Sequence, residues 1–172
     1  IKNIMSEVTI LIVAFKPKEK LLNNIIDNFK FQYPILIVNN SMEKLSKTFY
    51  EIENVSIIDN IQNLGNGAGI NLGIEKIETK YVLYLDIDAF IDNKNFKKLI
   101  DYANKIRNFA VLIPKLSNNE NYLKITKIWN TEGSIMFFNM EKIKGIISFD
   151  EKFFLYFEEL DFFFNCLKKG LD

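Results

Sequence analysis

The stretch Tyr81-Val-Leu-Tyr-Leu-Asp-Ile-Asp88 decides how this chain of 172 residues is interpreted. Its first five residues are apolar or aromatic, which predicts a buried parallel strand, and such strands present ligand-binding groups at their carboxyl ends. Two carboxylates, Asp86 and Asp88, follow directly, and paired carboxylates can hold a divalent cation together with the phosphates of a nucleotide. Because the chain has nine Asp residues, an Asp-x-Asp would arise about 0.5 times by chance, so the motif needs support from its surroundings.

The sequence around that strand alternates between strand and helix patterns. Apolar runs predict four more strands, at residues 8–15, 34–38, 55–58 and 110–113. Apolar spacing and chain position predict helices at residues 18–30, 43–52, 70–78 and 95–108. Such alternation implies βαβ units and right-handed crossovers. The expected fold is therefore α/β, with a mainly parallel central sheet flanked by helices.

The pattern changes after Pro114. A strand is predicted at residues 133–138, with its direction left open, and an aromatic-rich segment follows at 149–157. The helix predicted at 158–169 would end at Gly170, a residue suited to the left-handed cap of a helix. Nothing resembles a linker between the two parts, so we expect a single domain over residues 1–172.

The composition excludes several classes of chemistry. The chain has no histidine and one cysteine, which excludes a Ser-His-Asp or Cys-His mechanism and argues against a zinc site. Cys166 lies between Phe164 and Leu167 and is expected to be a buried structural thiol. Because the formal net charge is zero and no basic stripe is visible, nucleic acid is not an expected partner. No apolar run approaches the roughly 20 residues of a membrane-spanning helix.

Two polar segments lie near the predicted carboxyl edge of the sheet. Residues 63–73 contain four glycines, which favour either close approach of a phosphate to backbone N–H groups or tight packing of a helix on the sheet. Asn39-Asn40-Ser41 follows the second strand. These side chains could read a nucleobase or ribose, although capping of the next helix is the favoured interpretation.

The late segment Phe149-Asp-Glu-Lys-Phe-Phe-Leu-Tyr-Phe-Glu-Glu-Leu-Asp161 places carboxylates among aromatic residues. Glu158, Glu159 and Asp161 fall at the predicted start of a helix, where the macrodipole favours negative charge. The same dipole keeps a carboxylate ionised, which suits a general base. The aromatic residues could form a stacking platform for a sugar, but core packing is expected for most of them, with Trp129 the best candidate for exposure.

Taken in order, these motifs resemble the family 2 glycosyltransferases of the GT-A fold, especially the rhamnosyltransferase-like branch. The resemblance covers residues 8–170. In two places this chain departs from the family pattern, since Asn39 stands for an Asp and Glu159 stands for the Asp of a Glu-Asp pair. The matching residues are Val13-Ala-Phe-Lys16, Asn39-Asn40-Ser41, Asn63, Gly65, Asn71, Gly73, Asp86, Asp88, Gly133 and the segment that ends at Asp161.

The resemblance implies a role for each carboxylate. Asp86 and Asp88 would hold Mg²⁺ or Mn²⁺ against the diphosphate of a nucleotide-sugar donor, with Asp88 the more direct ligand. Glu159 would be the general base that deprotonates an acceptor hydroxyl as it attacks C1 of the sugar with inversion. Glu158 is the alternative base, and Asp161 would orient the loop or the acceptor.

The resemblance also implies partners and a location. The acceptor would be a glycan or a lipid-linked glycan in surface polysaccharide synthesis, and the protein would be cytoplasmic, at the inner face of the membrane. Family members continue beyond this length, so the acceptor side is expected to be incomplete. The residues implied in binding the nucleotide sugar are Ala14, Phe15, Asn39, Asn40, Asn63, Gly65, Asn71 and Asp86.

Three other interpretations stay open at this point. A sugar-nucleotide pyrophosphorylase would need a Gly-rich, Arg-containing loop after the first strand, whereas this chain has Phe15-Lys-Pro-Lys-Glu19. A glycosyltransferase-like binding scaffold without turnover would keep the fold and lose the chemistry. An α/β domain of unrelated function is the third.

Overall fold

A computed structural model of the protein describes residues 6–106, 108–114 and 133–171. Trp129, the residue expected to be the best candidate for exposure, lies outside these ranges. The strands are β1 (Val8–Ala14), β2 (Ile35–Asn39), β3 (Val55–Asp59), β4 (Tyr81–Leu85), β5 (Val111–Leu112) and β6 (Ile135–Asn139). The helices are α1 (Glu19–Phe29), α2 (Lys47–Tyr50), α3 (Asn66–Lys76), α4 (Asn93–Ile106), α5 (Met140–Ile143) and α6 (Glu158–Lys168).

The six strands form one mixed sheet in the order β3-β2-β1-β4-β6-β5. The first four neighbours pair in parallel, whereas β6 runs antiparallel to both β4 and β5. The expected parallel α/β sheet is therefore confirmed, and the direction left open for the strand near residue 135 is antiparallel. Strand β4 lies inside the sheet, which explains why all five of its residues are buried.

Helices cover both faces of the sheet, and each face has its own apolar core. One core joins the sheet to α1, α2 and α4, and it includes Phe29, Phe49 and Phe96. The other joins the sheet to α3, α5 and α6, and it includes Ile70 and Phe162. Successive side chains of a strand point to opposite faces, so an apolar run such as β1 contributes to both cores.

The glycine-rich segment is mostly helical, which corrects the helix start expected near residue 70. Helix α3 begins at Asn66, and two of its internal glycines, Gly69 and Gly73, pack against β1. A Cβ added to Gly69 would lie 2.7 Å from Cγ1 of Val13, and one added to Gly73 would lie 2.3 Å from Cδ1 of Leu11. Of the two interpretations of these glycines, tight packing of a helix on the sheet accounts for both positions.

The aromatic residues before α6 are exposed, so the expectation that most of them pack in the core is wrong. Phe153, Phe154, Tyr156 and Phe157 expose between 36% and 70% of their surface. By contrast, Phe149 is buried and stacks on Phe162, with ring centroids 4.3 Å apart. The chain thus leaves the core after Phe149 and returns to it within α6.

The end of α6 and its cysteine follow the sequence-based expectations. Gly170 adopts a left-handed φ of 68°, and the Leu171 N–H donates to the Cys166 carbonyl at 2.9 Å, as in a glycine-terminated helix. Burial raises the pKa of the Cys166 thiol to about 11. The thiol is therefore protonated at neutral pH and acts as a small apolar side chain.

Asp92 caps helix α4, and its removal should destabilise the protein in a pH-dependent way. Its Oδ1 accepts the Asn95 N–H at 2.9 Å, and this bond is the main cause of a lowered pKa for Asp92. Asp92→Ala should lower the free energy of unfolding by about 1 kcal/mol at pH 7.

Because the pKa is lower in the folded state, the contribution of Asp92 is complete above its unfolded pKa. It disappears as pH falls through the folded pKa. Urea unfolding at pH 7 and pH 2.5 would test this, with exposed Asp101→Ala as the control. An equal difference between wild type and Asp92→Ala at both pH values would contradict the capping role.

Candidate active site at the carboxyl edge of the sheet

Asp86 and Asp88 follow the last residue of β4, at the carboxyl edge of the parallel strands. The backbone N–H of Asp86 donates to the carbonyl of Ser134, just before β6, at 2.9 Å. Asp86 is half-buried, whereas Asp88 is exposed. The pair therefore combines one carboxylate fixed by the protein with one that is accessible to a ligand.

The Asp86 carboxyl is held in a partly desolvated position. Burial is the largest influence and raises its pKa above the ordinary value, and the charges of Asp88 and Glu158 act in the same direction. Hydrogen bonds from Tyr84 and Ser134 oppose the shift, since they stabilise the ionised form. A cationic ligand would compensate for the crowding of negative charge at this position.

A chain of hydrogen bonds runs from Asp86 to the start of α6. The hydroxyl of Tyr84 contacts Asp86 Oδ1 and lies 2.9 Å from Asn66 Oδ1. Asn66 Nδ2 in turn donates to Glu158 Oε1 at 2.9 Å. The chain thus connects the carboxyl end of β4, the first residue of α3 and the first residue of α6.

Glu158 and Glu159 differ sharply in accessibility. Glu158 is only 4% exposed, and among the described residues its Oε2 has no hydrogen-bond partner. Glu159 is half-buried and packs against Gly133, where an added Cβ would lie 3.0 Å from the Cβ of Glu159. Of the two glutamates, Glu159 is the one that an acceptor from solvent can reach.

The first turn of α6 is acidic, as expected, and the chain enters it through an unusual turn. Tyr156 and Phe157 both have φ near 68°, a left-handed conformation that is uncommon for large side chains. Strained backbone of this kind is a frequent feature of functional sites. Asp161 accepts a hydrogen bond from Asn165 Nδ2 at 2.8 Å, so its carboxylate is tied to the next turn of the helix.

The polar residues at the end of β2 bond to neighbouring loops. Asn39 Nδ2 donates to the Glu43 carbonyl at 2.7 Å and to Asp59 Oδ1 at 2.8 Å. Asn40 Nδ2 donates to the Gly65 carbonyl at 2.9 Å. The favoured helix-capping interpretation is wrong, because α2 begins only at Lys47 and has no side-chain cap.

Asn63 and Gly65 lie just before α3, and Asn71 lies in the middle of that helix. Asn63 Oδ1 accepts the Gly65 N–H at 3.0 Å. The amide of Asn71 pairs with the backbone of Phe149, since Oδ1 accepts its N–H and Nδ2 donates to its carbonyl, both at 2.9 Å. Asn71 therefore fixes the start of the aromatic segment, and its binding of a nucleotide sugar stays a prediction.

The end of β1 supplies one buried and one exposed residue to the same edge. Ala14 is fully buried, and its carbonyl accepts the N–H of Asn40 at 2.8 Å. Phe15 is 50% exposed. The structure thus gathers the predicted residues of β1, β2 and β4 at one edge, and it adds Tyr84 and Asn66, which the sequence did not single out.

The two aspartates fit a Mg²⁺ or Mn²⁺ ion that is shared with a ligand. Within residues 6–106, 108–114 and 133–171, no group of three or more His, Cys, Asp or Glu side chains could hold a metal ion. Mg²⁺, however, is usually held by one or two carboxylates and completes its shell with waters and substrate phosphates. An exposed Asp88 beside Asp86 offers that donor set.

In the described part of the chain, no helix has the length and apolar character that crossing a membrane requires.

One curated relative matches nearly all of the chain. It is the low-salt glycan biosynthesis hexosyltransferase Agl10 of Haloferax volcanii, which is 19% identical over 201 residues. The match covers 99% of this chain and 65% of the relative. The chain thus spans less than two thirds of that protein.

Solved structures share the fold. S. aureus TarS 1–349 in complex with UDP superposes with a TM-score of 0.71 at 16% identity, over 92% of this chain and 54% of that one. The mannosyltransferase PcManGT from Pyrobaculum calidifontis, in complex with GDP-Man and Mn²⁺, gives a TM-score of 0.61 at 10% identity, over 84% and 48%. The expected GT-A architecture is confirmed by these likenesses.

The model of the family described as glycosyl transferase family 2 matches residues 9–162. That range includes the strand-end aspartates, the glycine-rich helix and the first turn of α6. The predicted enzyme class is therefore confirmed at the level of the family. The chain belongs to glycosyl transferase family 2.

Proposed function

We propose that this chain is the nucleotide-sugar-binding domain, over residues 1–172, of an inverting, metal-dependent glycosyltransferase. The observation that carries the proposal is the meeting of two acidic segments, Asp86 with Asp88 and Glu158 with Glu159, through one chain of hydrogen bonds. Complexes of the similar structures with UDP and with GDP-Man support a nucleotide-diphosphate sugar as the donor.

The donor is expected to bind along the carboxyl edge. Asp88 and Asp86 would hold Mg²⁺ or Mn²⁺, which neutralises the charge that develops on a departing nucleoside diphosphate. Phe15 is the exposed aromatic residue at the end of β1 and is available to a nucleobase. Asn39, Asn40, Asn63 and Gly65 shape the loops of this edge through the bonds described above.

Glu159 is the residue best placed to act as the general base. It would take the proton from an acceptor hydroxyl while that oxygen attacks C1 of the donor sugar. The bond from C1 to the diphosphate oxygen breaks, and its electron pair leaves with the nucleoside diphosphate. Because attack and departure occur on opposite sides of C1, the anomeric configuration inverts. Glu158 is too buried to meet the acceptor directly.

The acceptor is expected to approach over the aromatic segment before α6. Residues 153–157 are all exposed and apolar or aromatic, and they lead directly into the turn that carries Glu159. Aromatic faces bind sugar rings and apolar chains alike. A glycan or lipid-linked glycan acceptor fits this surface. For such an acceptor, we propose that the protein is located in the cytoplasm, at the inner face of the membrane.

Asp88→Asn should remove metal-dependent binding of the nucleotide. Thermal unfolding would be measured with UDP, dTDP, GDP and CMP, each with and without Mn²⁺. At a hundredfold excess over the dissociation constant, a ligand stabilises the folded state by about 2.7 kcal/mol. Wild-type protein should show this shift with one nucleotide and Mn²⁺, and Asp88→Asn should lose it.

The control is Asp101→Asn, which removes the same charge from an exposed position on α4. It should respond to nucleotide and Mn²⁺ as the wild type does. Absence of a shift in the wild type with every nucleotide would contradict the proposal. Binding without transfer to any acceptor would leave the scaffold without turnover as the better description.

A further inference from the structure

We propose that Tyr84 and Asn66 are positioning residues that couple the Asp86 carboxylate to the first turn of α6. Occupation of the strand end by a nucleoside diphosphate would then stabilise the turn that carries Glu159. This inference rests on the proposed function, because it assigns to that site a connection between the donor side and the base side.

Tyr84 is the centre of the connection. Its side chain is fully buried on β4, and its hydroxyl has a single hydrogen for two acceptors, Asp86 Oδ1 and Asn66 Oδ1. The negative charge of Asp86 attracts that hydrogen. When a bound ligand engages Asp86, the attraction weakens and the hydrogen turns toward Asn66.

Asn66 transmits the change to the base side. A hydrogen bond received at Oδ1 polarises the amide and strengthens the bond that Nδ2 donates to Glu158 Oε1. The backbone N–H of Asn66 also donates to the carbonyl of Phe154 at 3.1 Å. One residue of α3 therefore holds both the aromatic segment and the first residue of α6.

Glu158 is the residue through which the connection affects the start of α6. It is a buried carboxylate, and the bond from Asn66 compensates for only one of its two oxygens. Buried polar groups depend strongly on the few partners they have. The side chain also rests on Gly67, where an added Cβ would lie 3.4 Å from the Cβ of Glu158. The position of Glu158, and of Glu159 after it, thus depends on Asn66.

Hydrogen exchange on wild type and Tyr84→Phe would test the coupling. The amides of residues 158–165 would be followed with and without Mn²⁺ plus UDP, dTDP or GDP, whichever of the three stabilises the wild type. In the wild type, we expect the ligand to slow their exchange about tenfold, as for one strengthened hydrogen bond. In Tyr84→Phe, the ligand should protect residues 86–89 as before but should leave the start of α6 unchanged.

Tyr81→Phe is the matched control. Tyr81 is also buried on β4, but its hydroxyl contacts Oδ1 of Asn104, at 3.2 Å. This variant should keep the ligand-induced protection of α6. If the Tyr84 hydroxyl had only a structural role, Tyr84→Phe would lower the melting temperature but would keep the ligand-induced protection of α6. Asn66→Ala, at a half-buried helix start, provides a second variant that should lose the protection.

The outcomes separate two failures. Equal protection of α6 in wild type, Tyr84→Phe and Asn66→Ala would overturn the coupling and leave the proposed function intact. Absence of ligand protection anywhere in the wild type would overturn the proposed function and the coupling with it.

Discussion

Glu159→Gln is expected to lower kcat by about 10²–10⁴-fold, the usual contribution of a general base. The amide keeps the size of the side chain and its packing against Gly133 but cannot accept the proton of an acceptor hydroxyl. Because the donor is proposed to bind at the strand end, away from Glu159, the affinity for nucleotide and Mn²⁺ should stay within about twofold of wild type. The measurement is nucleoside diphosphate release from the bound donor in the presence of acceptor.

Two further variants make the result specific to one carboxylate. Glu141→Gln, at an exposed position on α5, should leave kcat unchanged. Glu158→Gln should reduce kcat less than Glu159→Gln does, because its carbonyl oxygen can still accept the hydrogen bond from Asn66. A larger loss in Glu158→Gln than in Glu159→Gln would assign the base to Glu158 instead.

Gly65→Ala is expected to destabilise the protein by about 3 kcal/mol and to abolish nucleotide binding. Gly65 has a left-handed φ of 84°, and an added Cβ would lie 2.3 Å from the carbonyl oxygen of Phe154. A backbone atom cannot rotate away as a side chain can. The segment before α6 must therefore move, and the Asn66 N–H then loses the same carbonyl. Urea unfolding measures the first effect and thermal shift with nucleotide measures the second.

Gly145→Ala is the control for a side chain at a positive φ that meets no clash. Gly145 has a similar φ of 71°, but its added Cβ would meet nothing within 4 Å. This variant should be destabilised by about 1 kcal/mol from strain alone and should bind nucleotide normally. Equal destabilisation in the two variants would show that the contact with Phe154 does not matter.

The sheet and most helices were predictable because their residues follow simple periodicities. The continuous apolar run of residues 81–85 predicts strand β4, and the apolar spacing of residues 95–108 predicts helix α4. The start of α3 was not predictable in this way, since glycine is a poor helix former and indicates a turn. There, packing overrides propensity: Gly69 and Gly73 bring the helix against Val13 and Leu11, a contact made only in the folded chain.

In the candidate site too, the sequence suggests some residues and gives little sign of others. Asp86, Asp88 and Glu159 could be named as candidates because carboxylates after an apolar strand or at a helix start suggest chemistry, and their roles stay predictions. Tyr84 was missed, because a tyrosine within an apolar strand resembles a core residue. A usable signal was its spacing of two from Asp86, which places the two side chains on the same side if the chain stays extended past the end of β4. Asn66 gave no comparable signal, since its partners lie 18 and 92 residues away.

The position of β6 between β4 and β5 has a consequence for biosynthesis. Strands β4 and β5 both leave the ribosome before β6, the strand that pairs with each of them. Until β6 is made, the edge of β4 that will pair with it has no partner strand. Unpaired strand edges in a growing chain are prone to aggregation. We therefore expect the nascent chain to be prone to aggregation until β6 pairs with both strands. Mutations that slow this insertion should reduce the yield of folded protein without changing its final stability.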